Sequence, residues 1–394
     1  MIRKLIPTFA PVFGPEERAA VVGSAATSDY LTSGKAVYRF EREYTRYLRM
    51  RYGVMVNSGS TALLVATLAM KWKYGDKVII PACNFPTAVS PLLWFGLVPV
   101  FVDCEIGTYN TTPQMIEDAV KKTDGIVGYV LLHNLGNPLD PNVWTLPGWS
   151  IEDASDALGS EIEDHVCGSF GDVSTHSFYP AHGITTIEGG MCLTRSKEIY
   201  NKIRSITSWG RDCECSPGED NRCKKRFNYM VDGVPYDHKY LAATAGGNFK
   251  VLECQGVLGS LQLSKEESFR KRKHENFAII YKALEDLQDK VHLPRSLPNA
   301  IPAWFGFPLT LKSGDRMDVC RRIEARGVQT RMLFGGNLTR HPFLKGRKYE
   351  VPNPLENSNT VMEKSFVVGC GQSITDAEAN KVARVVSEEV KNKG

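Results

Sequence analysis

A chain of 394 residues, of which 42% are hydrophobic and 23% charged, is long enough to bury a large core and has the composition of an ordinary globular protein. Its formal net charge of +4 is small for this length, and no dense block of Lys and Arg occurs, so the sequence does not indicate nucleic-acid binding. No apolar run approaches the length of a membrane span, and the N-terminus is broken by prolines and unlike a signal peptide, so we expect no membrane association and a cytoplasmic location.

The first 50 residues predict an N-terminal arm that leads into a helix. A turn at 33–35 ends in Lys35, and apolar side chains then recur at helical spacing at Phe40, Tyr44 and Leu48. This spacing predicts a helix over the second half of the segment.

A turn of small residues lies between the next predicted strand, 54–56, and a helix predicted from Ala62. The turn contains Gly59, Ser60 and Thr61. A helix N-terminus offers free N–H groups and the positive end of the helix dipole, and the two hydroxyls can add donors. The turn therefore predicts a phosphate-binding site.

Apolar runs and helical segments alternate through the middle of the chain. Buried strands are predicted at 78–80, 98–102, 125–132 and 151–153. Strands that alternate with helices indicate an α/β fold with a mostly parallel sheet flanked by helices. A long charged helix is predicted at 264–290, where it would connect two domains. We predict a large domain over 1–265 and a smaller C-terminal α/β domain over 266–394.

The strongest signal is a run from Ser177 to His182, with the sequence SFYPAH, that is followed by Glu-Gly-Gly at 188–190. The run resembles the DegT/DnrJ/EryC1/StrS group of sugar aminotransferases in the fold-type I PLP superfamily. In that group, a Ser-Phe-x-x-x-Lys string carries the lysine that forms the Schiff base with the cofactor. His182 stands at the lysine position, and this exchange is typical of the nucleotide-sugar 3-dehydrases of the group.

The exchange of lysine for histidine changes the available chemistry. A lysine amine can hold PLP covalently, whereas an imidazole forms no stable imine but transfers protons near neutral pH. The resemblance therefore implies a fold-type I aminotransferase architecture, a cofactor held as PMP, and His182 as the catalytic base.

The resemblance also implies which residues hold the cofactor. Phe85 matches the aromatic residue that stacks on the ring, Asp153 the carboxylate that faces the pyridine nitrogen, and Asp156 the position that approaches the ring 3-oxygen. A carboxylate beside the nitrogen keeps it protonated, so that the ring can accept electrons. The complete implied set is Gly59, Ser60, Thr61, Phe85, Asp153, Asp156, Ser177 and Asn248.

The partners are implied in the same way. Asn248 matches an asparagine that contacts the phosphate in the neighbouring subunit, which implies a homodimer. The turn with Lys35 is expected at the mouth of the substrate site. Arg331 and Asn337 match substrate-facing positions, and Arg331 could pair with the diphosphate of a nucleotide-linked sugar.

A loop at 209–240 contains cysteines in the pattern C-x-C-x7-C, at Cys213, Cys215 and Cys223. Thiolates this close favour a metal, whereas most of the other cysteines are expected to be buried free thiols. The loop closely resembles that of the iron–sulfur dehydrases of 3,6-dideoxyhexose biosynthesis, in which an upstream cysteine is the fourth ligand of a [2Fe–2S] cluster. That position is Ser155 in this chain.

The substitution at Ser155 leaves the metal site open. Ser155 could supply an oxygen ligand to a [2Fe–2S] cluster, three thiolates could hold a [4Fe–4S] cluster, or the loop could bind zinc or nothing.

Together these motifs imply a PMP-dependent enzyme that removes the C3 hydroxyl of a nucleotide-linked 4-keto-6-deoxyhexose. An iron–sulfur cluster would pass electrons from a flavin/iron–sulfur or ferredoxin-type reductase. Three alternatives stay open: a cluster-independent 3-dehydratase that regenerates PMP with glutamate, a sugar aminotransferase that uses another lysine, and a catalytically silent sugar-binding relative. The sequence does not identify the nucleotide or the sugar.

Overall fold

The computed structural model describes residues 5–29, 31–212, 215, 221–222, 224 and 226–392. The α-helices of these residues are α1 (Pro15–Thr27), α2 (Lys35–Tyr47), α3 (Gly59–Ala69), α4 (Pro86–Trp94), α5 (Pro113–Lys122), α6 (Lys197–Thr207), α7 (Glu253–Leu263), α8 (Glu266–Leu284), α9 (Arg316–Ala325), α10 (Glu356–Lys364) and α11 (Asp376–Lys391). The strands of the two main sheets are β1 (Tyr52–Val56), β2 (Lys77–Pro81), β3 (Val98–Val102), β4 (Ile126–Leu132), β5 (Trp149–Asp153), β8 (Val173–Ser177), β9 (Gly190–Thr194), β12 (Val291–His292), β14 (Phe307–Leu311), β15 (Thr330–Met332) and β16 (Ser365–Val368). Short strands outside them are β6 (Glu161–Ile162), β7 (His165–Val166), β10 (Tyr229–Val231), β11 (Val234–Tyr236) and β13 (Ala300–Ile301).

The larger sheet has the strand order β1-β9-β8-β5-β4-β2-β3. The strands from β8 to β3 run parallel, and β9 pairs antiparallel with both β8 and β1. The predicted α/β class with a mostly parallel sheet is therefore confirmed. Strand β3 is buried at every residue, as its unbroken apolar sequence predicts for a strand covered on both faces.

The C-terminal part of the chain builds a second, antiparallel sheet in the order β12-β14-β16-β15. Helix α11 packs against α8 and α9, and apolar side chains from these elements share one core. The predicted domain boundary falls in the turn between α7 and α8, so α8 lies on the C-terminal side of it.

Several elements differ from the sequence expectation, among them the hairpin of β10 and β11, which lies within the loop predicted at 209–240. Helix α1 lies within the predicted arm, and it was missed because Glu17 and Ser24, its only buried residues, give no apolar stripe. Helix α3 begins at Gly59 rather than at Ala62, because the Ser58 side chain caps it by accepting a hydrogen bond from the Thr61 N–H.

The parallel strands bring separate parts of the sequence to one edge of the larger sheet. Their carboxyl ends lead into Phe85 after β2 and His133 after β4, while Asp153 ends β5 and Ser177 ends β8. Ligands of open α/β sheets bind at this kind of edge. Among the described helices, none is both long and apolar enough to cross a membrane.

Candidate active site

A cavity of about 700 Å³ opens at the carboxyl ends of the parallel strands, and residues of the C-terminal sheet complete its wall. Most residues implied for cofactor and substrate binding line this cavity. They are Gly59, Ser60, Phe85, Asp153, Asp156, Ser177 and Arg331, and the implied base His182 and the possible metal ligand Ser155 line it as well.

His182 lies in the turn after β8, and its imidazole ring is contacted at one edge by Asp156 and on one face by Phe305. The turn closes with a hydrogen bond from the His182 N–H to the Tyr179 carbonyl. The Nδ1 atom lies 3.2 Å from Oδ1 of Asp156, a charge contact without hydrogen-bond geometry. The face of the imidazole stacks on Phe305, with ring centroids 5.1 Å apart and planes at 24°. The contact with Asp156 favours a proton on Nδ1, which leaves the Nε2 lone pair free to accept one.

Asp153 ends β5 and is almost fully buried, and burial raises the pKa of its carboxyl group. Its Oδ1 accepts hydrogen bonds from the N–H and hydroxyl of Ser155, at 3.1 and 2.6 Å, which act against that rise in pKa. Its Oδ2 has no hydrogen-bond partner among the residues that the structure describes. A buried carboxylate without a cation is costly, so this site suits a cationic ligand such as a protonated pyridine.

The N-terminus of α3 forms another wall of the cavity. Gly59 packs so closely on β8 that a Cβ atom there would meet the Cβ of Ser177 at 2.6 Å. Ser58, Gly59 and Ser60 all line the cavity, so the start of this helix offers N–H groups to an anion. Together with the half-exposed ring of Phe85 and the carboxylate of Asp153, these features fit a pyridoxal-type cofactor.

Two of the implied residues use their side chains within the protein. The Thr61 hydroxyl lies 2.9 Å from the Ser58 hydroxyl. Asn337 is buried, and its amide accepts hydrogen bonds from Thr339 and donates one to Asn359. Neither residue lines the cavity. Asn337 caps the short helical turn that follows it, by accepting the hydrogen bond from the Thr339 N–H.

Lys35 and Asn248 are both exposed and lie outside the cavity lining of this single chain. Lys35 is the first residue of α2. The Asn248 side chain accepts a hydrogen bond from Lys250. Their implied roles, at the mouth of the substrate site and in a neighbouring subunit, stay predictions.

The cysteine loop is described only in part. Cys215 is half-buried, whereas Cys213 and Cys223 lie outside the described residues. No group of three or more His, Cys, Asp and Glu side chains among the described residues could hold a metal, so the cluster stays a prediction. The expected buried free thiols are confirmed at Cys83, Cys104, Cys167, Cys192, Cys320 and Cys370.

Several residues that line the cavity were given no role in the site from the sequence. They include Phe9, Ser58, Asn84, Glu188, Phe305 and His341. Ser58 could have been found as a capping serine before a helix. Phe9 and Phe305 reach the cavity from distant parts of the sequence, and no local pattern marks such residues.

Comparison with known proteins agrees with this architecture. The family model described as the DegT/DnrJ/EryC1/StrS aminotransferase family matches residues 14–387. The chain is 39% identical to dTDP-4-dehydro-2,6-dideoxy-D-glucose 3-dehydratase of Saccharopolyspora spinosa, over 96% of this chain and 85% of that protein. It is 36% identical to the lipopolysaccharide biosynthesis protein RfbH of Salmonella typhimurium, over 98% of this chain and 91% of that protein.

Among solved structures, the fold matches that of E. coli GDP-4-keto-6-deoxy-D-mannose-3-dehydratase with bound hydrated PLP. The TM-score is 0.86 at 24% identity, over 97% of this chain and 100% of that chain. The family match extends over nearly the whole sequence, and the chain therefore belongs to the DegT/DnrJ/EryC1/StrS aminotransferase family.

Proposed function

We propose that this protein is a PMP-dependent 3-dehydrase that removes the C3 hydroxyl of a nucleotide-linked 4-keto-6-deoxyhexose. The observation that carries the proposal is that His182, which the motif resemblance places at the family's lysine position, lines the cavity. No lysine is found among the described residues that line it. A similar protein with 39% identity is named as a nucleotide-sugar 3-dehydratase, which supports the same reaction class.

PMP, when bound, would supply an amine that condenses with the C4 ketone and a ring that takes up and returns electrons. Gly59 and Ser60 at the start of α3 would bind the phosphate, and Phe85 would cover one face of the ring. Asp153 would hold the pyridine nitrogen in its protonated state. Arg331, on β15, lines the same cavity and would pair with the substrate diphosphate.

His182 would carry the proton in this reaction. The Asp156 carboxylate on Nδ1 keeps Nε2 as the acceptor, and Phe305 keeps the ring in one plane. The imidazole would then take a proton from the C4′ carbon of PMP and pass a proton to the C3 hydroxyl as it leaves. A histidine that forms no imine fits elimination at C3 better than the delivery of an amine to C4.

We also propose that the loop at 209–240 holds an iron–sulfur cluster that receives electrons from a reductase. The support is the cysteine spacing. The Ser155 hydroxyl donates a hydrogen bond to Asp153, beside the proposed cofactor position. This favours a cluster that is held by the thiolates alone, without Ser155 as a ligand. We further propose a homodimer, because the exposed Asn248 lies outside the cavity of its own chain.

An anaerobic assay of wild type and Cys215→Ala tests this function. Each protein receives PMP and CDP-, dTDP- or GDP-linked 4-keto-6-deoxyhexose, in one series with a chemical reductant and in a second series with glutamate in its place. We expect wild type to contain iron and sulfide and to form the 3-deoxy ketosugar with one of the three substrates. Cys215→Ala should lose the iron and at least about 90% of the reductive turnover, because a missing thiolate opens the cluster.

The outcomes separate the alternatives. A product that keeps the C3 hydroxyl and gains an amine at C4 would contradict the proposed reaction. Equal 3-deoxygenation by both proteins, without iron and dependent on glutamate, would contradict the proposed cluster but support the proposed dehydration. Zinc in place of iron in the wild type would also contradict the cluster.

A further inference from the structure

The N-terminal arm reaches the cavity through one aromatic side chain. The ring of Phe9 stacks on Phe305 with centroids 4.1 Å apart and planes at 14°. Phe305 in turn stacks on His182. Three rings therefore form one stack that begins near the start of the chain and ends at the proposed base.

The arm is fixed on both sides of Phe9. Ile6 forms a parallel bridge with Val328, through hydrogen bonds of 2.9 Å to Gly327 and from Gln329. Farther along, the Val12 carbonyl accepts a hydrogen bond from Gln262 of α7. These bonds hold the segment around Phe9 in place.

The fold leaves space for the ring of Phe9 at a glycine. A Cβ atom on Gly306 would meet Cε1 of Phe9 at 3.1 Å and Cγ1 of Val367 at 2.5 Å. Gly306 directly follows Phe305, so the same short segment supplies both the middle ring of the stack and the room for its outer ring.

Two contacts are needed to aim the lone pair of an imidazole. The lone pair lies in the ring plane, so a contact at the edge fixes rotation within the plane and a contact on the face fixes the tilt of the plane. Asp156 supplies the first contact and Phe305 the second. A small error of position at the reacting atoms costs a large factor in rate.

We propose that Phe9 is a positioning residue, which holds Phe305 against the face of His182 and so sets the plane of the base. The proposal rests on the role of His182 in the proposed function. It makes the N-terminal arm a working part of the active site, linked through Gln329 to the strand that carries Arg331.

The test compares Phe9→Ala with Phe9→Tyr and with Phe13→Ala. Phe9→Tyr keeps the ring. Phe13 lies on the same arm, outside the cavity lining, with Arg18 over its ring at 5.5 Å. We expect Phe9→Ala to lower kcat about tenfold to a hundredfold, with KM for the sugar nucleotide changed less than about threefold. Phe9→Tyr and Phe13→Ala should stay within about threefold of wild type.

A second readout does not depend on turnover. The ring protons of His182, assigned by their loss in His182→Asn, are followed by NMR in protein labelled at the histidine ε1 carbons. We expect Phe9→Ala to move them toward the position of an unstacked histidine, whereas Phe13→Ala leaves them in place. Unmoved resonances, or a loss of kcat equal in Phe9→Ala and Phe13→Ala, would overturn the proposal. If wild type dehydrates no sugar nucleotide, the proposed function is wrong, but the His182 resonances still test whether Phe9 holds the ring stack in place.

Discussion

His182→Asn is expected to lower the rate of C3 dehydration at least about a hundredfold and to leave PMP binding within about threefold of wild type. General acid–base catalysis contributes about 10² to 10⁴ to a rate, and asparagine cannot transfer the proton. The change leaves untouched Phe85, Asp153 and the start of α3 that we propose binds the phosphate, so the cofactor should still bind. The measurements are single-turnover product formation and a titration of PMP followed by absorbance.

His292→Asn is the matched control, because His292 is exposed on β12 of the C-terminal sheet. It should retain full activity. Turnover of His182→Asn within about tenfold of wild type would show that another group transfers the proton.

Asp153→Asn should lower kcat about a hundredfold or more, because a neutral amide cannot keep the pyridine nitrogen protonated. The asparagine Oδ1 can still accept both hydrogen bonds from Ser155, so the loop geometry should survive. The cofactor-free variant should be at least as stable as wild type at pH 7. Burial raises the pKa of the Asp153 carboxyl, so its charged form destabilises the empty fold as the pH rises through that pKa. Steady-state kinetics and urea unfolding without cofactor are the two measurements.

Ser155→Ala is the control for this prediction, because it removes one donor to Asp153 and leaves the carboxylate. Its kcat should fall less than about tenfold, as expected for the loss of a single hydrogen bond. Undiminished turnover by Asp153→Asn, or a stability far below that of wild type, would contradict the role given to Asp153.

The parts of the site that could be predicted from sequence are those written into short local patterns. The strand that ends at Asp153, the small-residue turn at Gly59 and the SFYPAH run each appear in one continuous stretch, and all three line the cavity. Asn337 lies outside the cavity lining, and its implied role toward the substrate stays a prediction. The polar groups of its turn lie within hydrogen-bond reach of its amide, and the side chain is used there.

The contacts that orient the base depend on the tertiary fold. The Asp156–His182 contact joins two loops of the larger sheet, and Phe305 and Phe9 lie far apart in the sequence both from each other and from His182. Nothing in the spacing of these residues indicates that they meet. Packing of the arm on the C-terminal sheet brings them together.

We propose that His182 stands at the position of the lysine that tethers the cofactor in the family, so that no covalent bond joins the cofactor to this protein. The direct measurement is borohydride reduction of the PLP-loaded protein followed by intact-mass spectrometry, with His182→Lys as the positive control. We expect an unmodified mass for wild type and one added pyridoxyl group for the control. A stoichiometric pyridoxyl group on a lysine of the wild-type chain would contradict it.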